Sequence, residues 1–209
     1  MSEMDPTPPP ILGLVLAGGR SRRMGQDKAA LRWGADGVPL WRRQIELLRS
    51  CDLPVAVSIR QGQELEDAAN VECIADAVDD AGPLSGFLSA WKRYPEHALL
   101  VVACDLPLLD HATVQYLLDH RDPNRVGTAY ESANDHLPEP LCALWEPASR
   151  ALLEQSIASD RYCPRKVLIN AEDDVLLLSL PNRNALENAN TPEELSRLKE
   201  MIGESEVSS

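Results

Sequence analysis

The sequence is poor in aromatic residues, in positive charge and in long apolar runs, and each shortage excludes a class of protein. Aromatic residues make up 4 % of the 209 residues, so a buried core has to be built mainly from aliphatic side chains. The formal net charge is −13, which argues against nucleic-acid partners and anionic membranes, because polyphosphate binding needs a broad basic face. The longest apolar runs have the length of a strand and fall short of the ~20 residues of a membrane helix.

Paired cysteine motifs and targeting signals are also missing. The five cysteines are scattered without a CxxC pair, which argues against a disulfide framework and against a zinc site. Residues 1–10, MSEMDPTPPP, are acidic and proline-rich and lack the apolar core of a signal peptide. We predict reduced cysteines, a cytoplasmic location and a disordered leader over residues 1–10.

The apolar pattern predicts one α/β domain over residues 11–202, followed by a flexible tail over residues 203–209. Strand-like and helix-like runs alternate, which indicates a mostly parallel sheet covered on both sides. Residues 126–145 have fewer helical signals and are predicted to form an antiparallel excursion. The predicted strands are Ile11–Ala17, Pro54–Ile59, Val71–Ala75, Ala98–Cys104 and Val175–Leu180. The predicted helices are Pro39–Cys51, Leu84–Tyr94, Ala112–His120, Pro147–Ile157 and Thr191–Ile202.

Ligands of open α/β sheets bind outside the carboxyl ends of the strands, so the residues that follow each predicted strand are the candidate site. The first such segment is residues 16–28, LAGGRSRRMGQDK. Its glycines allow close backbone approach and expose N–H groups to phosphate oxygens, while its arginines and Lys28 add positive charge. The segment lacks the GK[ST] ending of a Walker A loop and is not GxGxxG. The alternative is a glycine turn with surface arginines.

The charge distribution supports a small anionic ligand. Residues 11–50 hold eight basic and three acidic residues, whereas residues 61–82 hold seven acidic residues and no basic one. A small basic island in an acidic protein suits a small anion better than a polymer. The alternative is two ordinary solvated faces. Within the island we expect ordinary surface charge at Arg32, Arg42, Arg43 and Arg49.

Two aspartates directly follow predicted strands. Asp105 ends a fully apolar run, where a carboxylate is a natural Mg²⁺ ligand together with nucleotide phosphates. Its alternative role, a helix N-cap, is weakened because the next helix starts near Asp110. Asp76 can accept hydrogen bonds from base or ribose donors, whereas Asp79 and Asp80 are interpreted as solvated loop charge.

Other chemistries lack the residues they need. The four histidines have no ligand-like spacing and no Gly-x-Ser-x-Gly is present, so serine and zinc hydrolases are disfavoured. The four tryptophans are interpreted as packing residues.

These motifs together resemble the MobA-like nucleotidyltransferase family, in its molybdenum cofactor guanylyltransferase branch. The pattern LAGG-x-S-x-RMG-x-DK, then D-x(5)-GPL-x-G, CD-x-P and N-x-NTPEE, runs in order over almost the whole predicted domain. The resemblance implies a Rossmann-like three-layer α/β/α fold and transfer of GMP from GTP to Mo-molybdopterin, with release of pyrophosphate and with Mg²⁺ as cofactor. Further candidate partners are molybdoenzymes and other proteins of cofactor biosynthesis.

The resemblance also assigns roles to residues. It implies that Asp105 holds the metal and that Arg23, Lys28 and Asp105 carry catalysis. The nucleotide-binding residues it implies are Leu16, Ala17, Gly18, Gly19, Lys28, Ser58, Asp76 and Asp105. Ser58 departs from the family, which often has Asn there, and offers fewer hydrogen bonds. Asn188 and Asn190 match a late element near the active site. Arg161, Arg165 and Lys166 form a small basic cluster, read either as part of the acceptor site or as a solvated helix end.

Two alternative functions remain open at this point. One is a nucleotidyltransferase that uses CTP or another nucleoside triphosphate on a different phosphorylated acceptor. The other is a homologue that binds nucleotide without catalysis, although the presence of Lys28 and Asp105 speaks against it.

Overall fold

A computed structural model describes residues 7–18, 31–33, 36–77 and 81–207, which form one seven-stranded sheet, a two-stranded hairpin and six α-helices. The strands are β1 Ile11–Leu16, β2 Arg32–Trp33, β3 Val38–Pro39, β4 Val55–Ile59, β5 Glu72–Ala75, β6 Ala98–Ala103, β7 Gly127–Glu131, β8 Pro138–Trp145 and β9 Val175–Leu178. The helices are α1 Leu40–Arg49, α2 Pro83–Arg93, α3 His111–Asp119, α4 Arg150–Ala158, α5 Pro164–Asn170 and α6 Pro192–Val207. Within the same residues, no helix is long and apolar enough to cross a membrane.

The large sheet is mostly parallel, as predicted. Its strand order is β5-β4-β1-β6-β8-β7-β9. Strand β8 runs antiparallel to both β6 and β7, and the other pairings are parallel. The predicted antiparallel excursion over residues 126–145 is therefore confirmed as β7 and β8, whose register shifts between Ala129 and Tyr130.

Helices cover both faces of this sheet, which confirms the three-layer α/β/α architecture. One face packs apolar residues of α1 and α3, such as Ile45 and Leu117, against β1 and β6. The other face packs α2, α4 and α5, represented by Phe87, Leu153 and Leu168. Strand β6 is buried at all six positions, as its continuous apolar run predicts. The four tryptophans are at most 8 % exposed, so the prediction that they are packing residues is confirmed.

The chain reverses its direction of winding between β1 and β6. From β1 it proceeds outward to β4 and β5, and it then returns to place β6 on the other side of β1. A crevice forms at such a reversal, outside the carboxyl ends of the two strands. The register pairs Leu16 with Ala103 and with Ser58, so β1, β6 and β4 reach the same edge together.

Several local features differ from the sequence-based expectations. Helix α5 and the β2–β3 hairpin were not predicted, and β9 ends at Leu178, two residues early. Helix α6 continues to Val207, so residues 203–207 of the predicted flexible tail are helical. Its start is fixed by a capping box, in which Glu194 N donates to Thr191 Oγ1 at 3.0 Å and Asn190 N donates to Glu194 Oε2 at 2.6 Å.

A buried ion pair fastens the beginning of the described chain to the domain. The Arg121 guanidinium makes a bidentate contact with Glu146, at 2.6 and 2.8 Å, and also donates to the Pro9 carbonyl at 2.8 Å. The Pro10 carbonyl accepts from Ala98 N at 2.9 Å. Residues 9 and 10 of the predicted leader are therefore held on the domain, and residues 1–6 lie outside the described residues.

We expect Glu146→Ala to lower the free energy of unfolding by about 3–5 kcal/mol, because it leaves the Arg121 charge buried without its partner. The side chain of Glu146 is 1 % exposed and that of Arg121 is 11 % exposed. Urea unfolding measures the effect. The matched control is Glu154→Ala, which removes the exposed ion pair with Arg150 and should cost under about 0.5 kcal/mol. Equal losses of unfolding free energy in the two variants would contradict the conclusion that Glu146 and Arg121 form a stabilising buried ion pair.

Candidate active site

The structure brings the described members of the predicted site to one edge of the sheet. Ala17 and Gly18 follow β1, Ser58 lies near the end of β4, and Asp76 and Asp105 follow β5 and β6. Backbone hydrogen bonds tie these ends together, since Ala17 N donates to Ser58 O at 2.9 Å. The predicted residues Gly19, Arg23 and Lys28 lie outside the described residues, as do Arg20, Arg22, Asp79 and Asp80.

Gly18 begins the first loop at a point where a side chain has almost no room. A Cβ atom on Gly18 would lie 3.1 Å from Asp76 Oδ2 and 3.3 Å from Arg60 N. The absence of a side chain therefore allows the backbone of Gly18 to lie directly beside the Asp76 carboxylate.

Asp76 is held by the neighbouring strand. Its backbone N donates to Ile59 O at 2.8 Å, and its Oδ1 accepts from the Ser58 hydroxyl at 2.7 Å. The Ser58 hydroxyl lies against the first turn of α2, because a Cβ on Gly86 would come within 2.4 Å of Ser58 Oγ. Three separate elements thus meet around one carboxylate.

Two residues at this edge were missed by the sequence interpretation. Arg60 directly follows β4, with its backbone and its Cγ next to Gly18. Gln63 connects the two loops, since its Nε2 donates to Ala17 O at 3.1 Å and its Oε1 accepts from Arg60 N at 2.9 Å. The position of Arg60 just after a predicted strand is a sequence signal for it, whereas nothing in the sequence pairs Gln63 with a residue 46 positions earlier.

Asp105 is 8 % exposed. Its backbone carbonyl accepts from Ala189 N at 2.9 Å, so the C-terminal segment that contains Asn188 and Asn190 passes next to the end of β6. Asp110, and not Asp105, caps helix α3 by accepting from Thr113 N at 2.7 Å. The carboxylate of Asp105 is therefore not used as a helix cap.

Asp110 also connects the C-terminal segment to α3. Its Oδ2 accepts from Asn182 Nδ2 at 3.3 Å. Burial raises the pKa of the Asp110 carboxyl, but hydrogen bonds from Thr113 and Asn182 outweigh burial and hold that pKa below the usual value of an aspartate. Asp110 is accordingly charged at neutral pH.

The described basic residues of the island make contacts at the protein surface. Arg32, Arg43 and Arg49 form ion pairs with Glu66, Asp36 and Glu46, and Arg42 donates to the Asp67 carbonyl. These four are the arginines predicted to be ordinary surface charge, and the prediction is confirmed.

The second basic cluster is partly neutralised. Arg165 contacts Asp135 at 2.8 Å and Glu139 at 2.7 Å. Arg161 and Lys166 are exposed. The Arg165 pairings favour the reading of this cluster as a charged surface at the start of α5.

The described residues contain neither a side-chain cluster that could hold a metal ion alone nor a disulfide. No group of three or more His, Cys, Asp or Glu residues in the described ranges could hold a metal ion by itself. None of the five cysteines, all of which lie in the described residues, forms a disulfide. Burial raises the pKa of the Cys142 thiol to about 12, which keeps it protonated and unreactive.

The protein is an open α/β protein whose described candidate-site residues lie at the reversal of winding. Residues 13–175 match the MobA-like NTP transferase domain. The chain therefore belongs to the MobA-like NTP transferase family, and the resemblance inferred from the motifs is confirmed.

Individual relatives agree with this membership. The chain is 36 % identical over 194 residues to the molybdenum cofactor guanylyltransferase of Xanthomonas euvesicatoria pv. vesicatoria, covering 90 % of this chain and 94 % of that protein. It is 34 % identical over 193 residues to the molybdenum cofactor biosynthesis bifunctional protein of Synechocystis sp., but spans only 54 % of that protein's length.

A solved structure shows the same fold. Molybdopterin-guanine dinucleotide biosynthesis protein A from Archaeoglobus fulgidus superposes with a TM-score of 0.71 at 22 % identity, covering 92 % of this chain and 99 % of that one.

We expect Gly86→Ala to lower the free energy of unfolding by about 1–3 kcal/mol, because the added methyl group is forced against well-packed neighbours. The neighbours are Ser58 Oγ at 2.4 Å and Leu16 Cδ2 at 3.0 Å from the new Cβ. Chemical denaturation measures the loss. In a Ser58→Ala background the closest contact is absent and the cost should be smaller. A stabilising effect of Gly86→Ala, as helix propensity alone would give, would contradict this packing.

Proposed function

We propose that this chain is a molybdenum cofactor guanylyltransferase, which transfers GMP from GTP to the phosphate of Mo-molybdopterin and releases pyrophosphate. The observation that carries the proposal is the meeting of Gly18, Asp76 and Asp105 at one sheet edge in a member of the MobA-like NTP transferase family. The names of its relatives support guanine as the base and molybdopterin as the acceptor.

The proposed roles divide between nucleotide binding and charge stabilisation. The residues proposed to contact GTP are Leu16, Ala17, Gly18, Gly19, Lys28, Asp76 and Asp105. Ser58 is proposed to belong to the same site through its hydrogen bond to Asp76. Arg23, Lys28 and Asp105 are proposed to act in catalysis. The closeness of Gly18 to Asp76 supports a shared role, because a ligand that reaches the open backbone there also reaches the carboxylate.

The proposed reaction needs no general base. A phosphate monoester has a second pKa near ~6, so the acceptor is largely dianionic at neutral pH. One acceptor oxygen forms a bond to the α-phosphorus of GTP, and the bond from that phosphorus to the bridging oxygen breaks. Pyrophosphate leaves with the electron pair. The protein has to align the two phosphates and offset their repulsion, which agrees with a site that has no catalytic histidine.

The donor set at this edge fits Mg²⁺. This ion is commonly bound through one or two carboxylates while substrate phosphates and water supply the remaining oxygens. Asp105 would provide the carboxylate, since its side chain lies at the strand end and does not cap α3. Bound there, Mg²⁺ would neutralise phosphate charge. The acceptor is proposed to lie over the C-terminal half of the sheet, while the protein partners and the cytoplasmic location stay predictions.

The direct test is incubation of the protein with GTP, Mg²⁺ and Mo-molybdopterin, followed by chromatographic detection of the guanine dinucleotide and of pyrophosphate. We expect both products in equal amounts with GTP and neither with CTP. Turnover with CTP and not with GTP would support the alternative function, a nucleotidyltransferase that uses CTP. Binding of GTP without any product would support the non-catalytic alternative.

Within the same assay, Asp105→Asn should reduce turnover by about a hundredfold or more, the size of effect typical of lost transition-state charge stabilisation. The matched control is Asp119→Asn, which changes an exposed aspartate at the end of α3 that accepts from Gln115. The control should retain wild-type turnover. Unchanged turnover of Asp105→Asn would contradict the role proposed for Asp105.

A further inference from the structure

The Ser58 hydroxyl is buried and already committed to a protein partner. Ser58 is 2 % exposed, and its Oγ donates to Asp76 Oδ1 at 2.7 Å. A side chain with so little exposed surface has little area to offer a ligand. Its hydroxyl proton is used within the protein, because a serine hydroxyl has a single donor.

Packing against helix α2, in addition to the hydrogen bond, fixes the orientation of the Ser58 hydroxyl. A Cβ on Gly86 would lie 2.4 Å from Ser58 Oγ and 3.0 Å from Ser58 Cβ, so the backbone of α2 lies close against the whole serine side chain. Gly86 belongs to the first turns of a helix whose buried side faces the sheet. Helix α2 thus leaves Ser58 little freedom to turn away from Asp76.

The other carboxylate oxygen of Asp76, Oδ2, lies next to Gly18. Asp76 Oδ2 lies 3.1 Å from the position of a Cβ on Gly18, while the Asp76 backbone is fixed to Ile59 at 2.8 Å. One carboxylate oxygen is therefore bound to Ser58, and the other lies where the glycine-rich segment leaves β1.

We propose that Ser58 is a positioning residue, which sets the affinity of the site for its nucleoside triphosphate by holding the Asp76 carboxylate with Oδ2 toward Gly18. Ser58 acts through Asp76 and does not touch the nucleotide. The inference rests on the proposed function, because it needs a nucleotide at this edge. The MobA-like family often has an asparagine at this position, and the role proposed here is that of the serine in this chain.

The test is a double-mutant cycle on the full-length chain with Ser58→Ala, Asp76→Ala and the double variant. Isothermal titration with GTP and Mg²⁺ gives Kd, the transfer assay gives KM and kcat, and thermal unfolding gives Tm. The matched control is Ser149→Ala, a fully buried serine whose hydroxyl donates to the Glu146 carbonyl at 2.7 Å, far along the chain from the strand ends.

We expect Ser58→Ala to raise Kd and KM for GTP about tenfold with kcat within about twofold, the effect of misplacing one hydrogen-bonding group used equally in ground and transition states. On top of Asp76→Ala, removal of the Ser58 hydroxyl should weaken binding no further. The control should lower Tm without changing Kd.

Two results would overturn the inference. An unchanged Kd in Ser58→Ala would remove the positioning role, and if Tm fell at the same time, as in the control, Ser58 would have a structural role only. Additive losses in the cycle would show that Ser58 contacts the nucleotide itself. Failure of the wild-type protein to bind GTP would instead refute the proposed function, which separates the two claims.

Discussion

The site depends on the parallel register of four adjacent strands. Hydrogen bonding pairs Leu16 of β1 with Ala103 of β6 and with Ser58 of β4, and pairs Ile59 of β4 with Ala75 of β5. Because these strands run in the same direction, their carboxyl ends coincide, and the residues that follow them become neighbours although they are far apart in sequence. A one-residue slip in any pairing would turn its side chains to the opposite face and separate the group.

Around this edge, the loops are fixed mainly by hydrogen bonds to backbone. Gln63 holds the carbonyl of Ala17, and Ala189 donates to the carbonyl of Asp105. Such contacts position the backbone of the loops, and the Ser58 hydroxyl positions the Asp76 carboxylate. Asp110, and not Asp105, caps α3.

The sequence was sufficient to predict the sheet, its helical layers and the carboxylates at its edge. Continuous aliphatic runs such as β1 and β6 are diagnostic of buried parallel strands, and Asp105 directly follows one of them. The β2–β3 hairpin was not predictable in the same way, because two-residue strands have no measurable periodicity. Helix α5 is only seven residues long and was obscured by its basic residues.

Contacts across the site could not be predicted from the sequence pattern, because they depend on how the helices pack. The approach of Gly86 to Ser58 depends on the packing of α2 against the sheet, and the pairing of Arg165 with Asp135 and Glu139 depends on where α5 lies. Neither spacing nor composition encodes such distances. The structure therefore added the supporting residues of the site, whereas its central residues were already evident from their positions after strands.

Hydrogen–deuterium exchange with GTP and Mg²⁺ tests most directly whether this edge is the nucleotide site. If the nucleotide binds at this edge, exchange should slow in the segments that follow the four strands, residues 17–18, 60–64, 76–77 and 104–109, relative to the protein alone. The loops at the opposite edge, residues 52–54 and 95–97, should exchange unchanged. Protection confined to that opposite edge at saturating GTP, or protection absent from all four segments, would contradict a nucleotide site at this edge.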